Sequence, residues 1–174
     1  MRLFIAFGLP VSLTDAIAEV SERLRSDIEG RFVRADNLHI TLAFLGQTDE
    51  ARMTDIAGVV ESACEGIGPF RIALGDLGYF GRRKQATLWQ GLEKTPVMFE
   101  VAERLRDGLR AAGIDFDDKP FSPHVTLARK AALGGVDLGR YARDADGVVD
   151  SVTLFESVLT PQGARYIPHA VIAL

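Results

Sequence analysis

Two hydrophobic rhythms alternate along the chain. Residues 2–8 form a short apolar run, Leu3-Phe4-Ile5-Ala6-Phe7, that predicts a buried strand, and Pro10 ends it. From Val11 to Glu29 the apolar positions Leu13, Ile17, Val20, Leu24 and Ile28 recur at helical spacing among charges, predicting an amphipathic helix. Ser12 and Thr14 are candidate caps and Gly30 a stop. Arg31–Arg34 reads as a short extended piece, and 38–45 as a second strand closed by Gly46.

The cycle then repeats. Glu50–Glu65 carries a helical stripe of Met53, Ile56, Val59, Val60 and Ala63, broken by Gly66, Gly68 and Pro69. Phe70–Leu77 reads as a strand, Gly78–Gln85 as a turn-rich basic loop and Ala86–Gly91 as a further strand. Thr95–Ala112 is a third helix, with Pro96 in its first turn and Gly113 at its end. After an acidic loop at Asp115–Lys119 come a strand at 123–130 and a stretch, Ala131–Gly147, holding at most a short helix at Leu138–Ala142. Val148–Leu159 and Tyr166–Leu174 read as closing strands.

This order predicts an α+β fold in one domain, 1–174, with an approximate internal duplication of about 1–91 and 92–174. The expected arrangement is two sheets, or one bifurcated sheet, with helices outside and a cleft between the halves.

One short stretch ties the halves together. His39-Ile40-Thr41-Leu42-Ala43-Phe44 returns 85 positions later as His124-Val125-Thr126-Leu127-Ala128-Arg129. Side chains alternate faces along a strand, so each histidine shares a face with the threonine two positions on. Two such strands brought together would offer two imidazoles and two hydroxyls to one bound group, a set suited to acid–base chemistry at a phosphate.

Composition narrows the setting. A net charge of −4 argues against coating long nucleic acid, which calls for a broad basic surface. Basic residues do cluster locally, at Arg31 with Arg34, at Arg82-Arg83-Lys84 and at Arg129-Lys130. Such clusters hold one or a few phosphates, or are simply solvated surface. The single cysteine, Cys64, excludes an intramolecular disulfide and fits a reducing cytoplasm. The apolar N-terminus reads as a first strand rather than a secretion signal, and no run approaches the length of a membrane span.

The two His-x-Thr motifs resemble those of the two-histidine (2H) phosphoesterases. More narrowly, the chain resembles the RNA 2′,3′-cyclic phosphodiesterases, also called 2′-5′ RNA ligase family proteins. The resemblance rests on Arg2-Leu3-Phe4-Ile5-Ala6, on Leu38 through Gly46, on Phe121-Ser122-Pro123 with the second motif through Arg129, and on Ser157, Gly163 and Tyr166. It implies a bilobal fold of two pseudo-symmetric lobes, antiparallel sheets around a central cleft with helices outside. It implies metal-independent hydrolysis of RNA 2′,3′-cyclic phosphate ends to 2′-phosphomonoesters, with RNA ends or small nucleoside 2′,3′-cyclic phosphates as partners. Some family members also join RNA ends by a 2′-5′ linkage, which is the alternative activity for the same site. By motif match, His39 is the proton donor and His124 the proton acceptor.

The residues themselves fit that chemistry. A cyclic phosphodiester opens in line, with water entering on one side of phosphorus and a ribose oxygen leaving on the other. Histidine serves as acid and as base because its unperturbed pKa is ~6.5. Thr41 and Thr126 are candidate phosphate donors, although threonine is also an ordinary strand residue. Arg129, Arg82, Arg83 and Lys84 are candidate substrate contacts. Strict alternation turns Arg129 away from His124. Phe44, its counterpart in the first motif, reads first as core and second as a base-stacking surface. His169 lies in the last strand with no threonine after it and reads as structural. No His-Glu-x-x-His and no tight Cys/His spacing accompanies the three histidines, so neither metal nor cofactor is expected, nor is an obligate protein partner. A non-catalytic nucleotide-binding module is the competing class. It has no use for two proton-transfer groups.

Overall fold

Leu3, Ile5 and Phe7 point one way from β1 (Arg2–Phe7) and are fully buried, while Phe4 points the other way. That division sets the architecture: one face of each sheet meets helices, and the other lines a cleft. The computed structural model describes residues 1–174. After β1 come α1 (Val11–Asp27), β2 (Glu29–Phe32), β3 (Ile40–Gln47), α2 (Met53–Cys64), β4 (Phe70–Phe80) and β5 (Ala86–Leu92). Then follow α3 (Pro96–Ala111), β6 (His124–Ala132), β7 (Asp146–Val149), β8 (Ser151–Thr160) and β9 (Gly163–Ala173).

The strands form two sheets, ordered β3-β1-β8-β9 and β2-β6-β5-β4-β7, with every pairing antiparallel. The first sheet and the last four strands of the second correspond one to one, β3 with β6, β1 with β5, β8 with β4 and β9 with β7. This is the bilobal α+β architecture expected from the sequence. The lobes are not the halves of the sequence, however. β4 and β5 lie before or at residue 92 yet pair in the sheet of β6, and β8 returns to pair with β1, with β9 beside β8 at the edge. Sequence order does not reveal this: the four-stranded sheet joins both ends of the chain, and the five-stranded sheet is drawn from residues 29–149 between them.

The helices cross over as well. α1 leaves β1 but packs over the five-stranded sheet, against β2 and β7, whereas α2 and α3 pack on each other beneath β3, β8 and β9. Leu13, Ile17, Val20 and Leu24 of α1 are buried as their spacing predicts. Neither Ser12 nor Thr14 caps that helix. Pro10 occupies the cap position, and the Ser12 hydroxyl donates to the Asp146 carbonyl instead. One continuous set of buried side chains, from Leu3 and Ile5 through Leu88 and Val125, runs through both lobes. No helix is long and apolar enough to cross a membrane.

The basic segment 78–85 is not all loop. β4 continues to Phe80, and only 81–85 turn back into β5. Gly78 makes this possible. It pairs across the strands with Trp89, and a Cβ there would come within 2.3 Å of the indole ring, which lies flat over the glycine.

Candidate active site

The two motif strands form their histidine-bearing faces by the same device. In β3 the partners of Ile5 and Ala6 are Ala43 and Thr41, leaving Leu42 as an extra, bulged residue. In β6 the partners of Leu88 and Trp89 are Ala128 and Thr126, leaving Leu127 bulged. The leucine shared by both motifs is the bulge. Leu42 and Ala43 are consecutively buried, as are Leu127 and Ala128, so the alternation slips by one. The slip brings the next residue, Phe44 or Arg129, back to the face of the histidine and threonine. The strict alternation that turned Arg129 away and placed Phe44 in the core does not survive it. Phe44 is half-buried and lines the cleft, and Arg129 is exposed and acts electrostatically on His39 and Tyr166.

Each imidazole is anchored at Nδ1. His39 lies 2.7 Å from the carbonyl of Asn37 and His124 2.6 Å from the carbonyl of Ser122, in each case two residues back. A carbonyl only accepts, so each Nδ1 carries a proton and each neutral ring keeps its lone pair on Nε2. The His39 Nε2 is 3.0 Å from the Thr41 hydroxyl, which donates to it. His124 has no hydrogen bond other than the one at Nδ1. Asn37, which sequence reasoning missed, is itself held by its side-chain amide donating to the Ala164 carbonyl at 2.7 Å.

Burial holds the His39 imidazole below its ordinary pKa. The Asn37 carbonyl opposes that shift, and the positive charges of Arg129 and His124 reinforce it. His124 is therefore near enough to His39 for its charge to be felt there. Aromatic rings frame both. Phe4 stands 4.8 Å and Tyr166 5.3 Å from His39, centroid to centroid. Phe80 stands 5.1 Å and Trp89 6.3 Å from His124. Burial raises the Tyr166 pKa, while Arg129 and Arg2 pull it down. Phe80 carries no strand signal in the sequence because it lies inside the 78–85 segment that reads as loop.

The cleft has a volume of about 510 Å³, and Thr41, Phe44, Phe80, Phe121, Lys119 and His124 are among its walls. Thr126 lies on the cleft face of β6, paired with Trp89. The remaining candidates divide. Arg83 is committed to structure, stacking on Tyr79 at 5.2 Å and donating to the Gly134 and Val136 carbonyls. Those carbonyls already engage its guanidinium nitrogens. Arg82 and Lys84 are exposed at the β4–β5 turn, next to Phe80. His169 pairs with Glu156 at 2.9 Å, on the face of β8 opposite Phe155.

A model of the 2′-5′ RNA ligase superfamily matches residues 13–158. The chain is 33% identical to the RNA 2′,3′-cyclic phosphodiesterase of Thermus thermophilus, over 95% of this chain and 86% of that one. It is 30% identical to the protein of the same name from Escherichia coli K12, over 96% and 93%. Among solved structures it is similar to TT0787 of Thermus thermophilus, with a TM-score of 0.83, 29% identity and coverage of 100% and 98%. The Escherichia coli LigT structure complexed with 3′-AMP gives a TM-score of 0.81 at 28% identity, covering 99% and 97%.

Proposed function

The chain belongs to the 2′-5′ RNA ligase superfamily, and on that premise we propose that it hydrolyses RNA 2′,3′-cyclic phosphate ends to 2′-phosphomonoesters in a reducing cytoplasm. The observation that carries this reading is the paired anchoring of His39 and His124. Both rings present Nε2 alone to the cleft, and one catalytic proton can move at each.

The cyclic phosphate sits between the two motif strands. His124 Nε2, without a partner, takes a proton from the attacking water. Protonated His39 delivers its Nε2 proton to the departing ribose oxygen. The Thr41 hydroxyl, no longer needed as donor to a neutral ring, turns toward a phosphoryl oxygen, and Thr126 donates from the opposite strand. Arg129 adds positive charge where negative charge gathers on phosphorus oxygens. No side chain forms a covalent bond to the substrate. The nucleoside lies along the trough walled by Phe44, Phe80 and Phe121, in keeping with the nucleotide complex of the similar LigT.

The test is an RNA oligonucleotide ending in a 2′,3′-cyclic phosphate, incubated with excess chelator and analysed for product regiochemistry. A 2′-phosphate formed at an undiminished rate is expected. A 3′-phosphate, a 2′-5′ joined product alone, or complete dependence on added metal overturns the reading.

A further inference from the structure

We propose that Arg31 and Arg129 together form a second anion subsite, one that receives the phosphodiester on the 5′ side of the cyclic end. The proposal rests on the function above and names its substrate class: the end of a chain, in preference to a free cyclic mononucleotide.

Arg31 on β2 is the direct antiparallel partner of Arg129 on β6. Directly paired residues share a face of the sheet. Their neighbours Phe32 and Ala128 also pair, and Phe32 stacks under Arg25 of α1, so that pair faces the helix. Arg31 and Arg129 therefore face the other way, into the cleft. Both are exposed, and neither takes part in any ion pair of the molecule. By contrast Arg34, three residues after Arg31, is neutralised by a forked contact with Asp36.

Two like charges directly opposite on adjacent strands are destabilising. Here no acid relieves them, in a protein that carries an excess of acidic residues. An anion lying over the pair would. The position suits one. Arg129 is close enough to lower the pKa of His39, and β2 lies one strand further out, about 4.8 Å in the pairing direction. A phosphate bound between the histidines thus has Arg129 at its outer side and Arg31 beyond, and a second phosphate of the same strand lying over the pair is the anion proposed.

The experiment compares two substrates, adenosine 2′,3′-cyclic phosphate and the dinucleotide ApA ending in the same cyclic phosphate, at several salt concentrations. Wild type should favour the dinucleotide in kcat/KM. Arg31→Gln should lower that preference about tenfold, mainly through KM, with partial rescue by Arg31→Lys. The salt dependence of dinucleotide binding should lose about one phosphate contact. Arg140→Gln, which removes an exposed charge beside α1, should leave the preference alone. The same ratio taken as equilibrium affinity for the two 2′-phosphate products reads the subsite without turnover, so failure of the activity is distinguishable from failure of the subsite. An unchanged ratio in Arg31→Gln, or an equal loss on both ligands, overturns the proposal.

Discussion

The Nε2 of His39 stands 3.0 Å from the Thr41 hydroxyl, whereas His124 is bonded only at Nδ1. The motifs are alike in sequence, yet one imidazole reaches the cleft with its lone pair occupied and the other with it free. A free lone pair is what a base needs. An occupied one is harmless to an acid, whose Nε2 carries a proton. His39→Ala and His124→Ala should each lower kcat by about 10²–10⁴-fold, the usual worth of a positioned acid or base. His169→Ala, which removes a hydrogen bond with Glu156 away from the cleft, should leave kcat near wild type. Steady-state kinetics of the three folded variants decides. Equal damage from His169→Ala would sink the assignment.

Protonation of His39 provides a second test. Its pKa is depressed in the free protein, chiefly by burial, and a bound phosphate anion works the other way. An NMR titration of the imidazole should place its midpoint below ~6.5, the ordinary value. Adding inorganic phosphate or replacing Arg129 with Gln should raise it. The bell of kcat should accordingly lie at higher pH than the bell of kcat/KM, with apparent values that belong to the coupled pair. The stability sign follows. With the folded pKa depressed, the folded protein binds fewer protons than the unfolded chain. The contribution is therefore present above ~6.5 and lost as pH falls through the depressed value. His39→Gln should flatten that part of the stability profile. A midpoint above the ordinary value would contradict the burial argument.

Much of this was legible in the chain. Period-2 and period-3.6 patterns located the strands and helices, and the 85-residue echo picked out both histidines. Illegible were features that depend on who pairs with whom. The bulges at Leu42 and Leu127 exist only relative to β1 and β5, so the faces of Phe44 and Arg129 came out reversed. Arg83 read as a free cation because its carbonyl acceptors, on Gly134 and Val136, are some fifty residues away. Asn37 carried no pattern at all, since its role depends on a contact with β9.

Gly78 couples the cleft to the fold. A Cβ added there would meet the Trp89 ring at 2.3 Å, too close for any adjustment short of moving the ring. Trp89 and Phe80 both border His124, so the displaced indole has to move within the aromatic frame around that imidazole. Gly78→Ala should destabilise by about 1–3 kcal/mol, as overpacking does, and should also lower kcat. Denaturant unfolding alongside kinetics measures both. Full activity with unchanged stability would show that the ring is not held as tightly as its contact with Gly78 requires.

Arg106 connects α3 to His124, the proposed general base. Its side chain is only 10% exposed, donates to Asp118 and to the Lys119 carbonyl, and stacks near Phe116. The loop it grips has a second attachment, the Asp117 amide donating to the Phe44 carbonyl at 2.9 Å. That loop ends in Ser122, whose carbonyl fixes the Nδ1 proton of His124. Arg106 is thus a positioning residue, acting on the base through the loop between Asp118 and Ser122. Removing its guanidinium leaves the Lys119 carbonyl without its donor and Asp118 with only Arg110. Arg106→Ala should lower kcat by about tenfold or more, with a smaller change in KM, because a loosened Ser122 carbonyl no longer fixes the tautomer and aim of His124. Arg106→Lys, which restores charge but not the fork, should recover only part. The His124 ring resonances should broaden in the Ala variant and sharpen in the Lys variant. A loss confined to thermal stability, with kcat and the His124 resonances unchanged, would assign Arg106 to the fold alone.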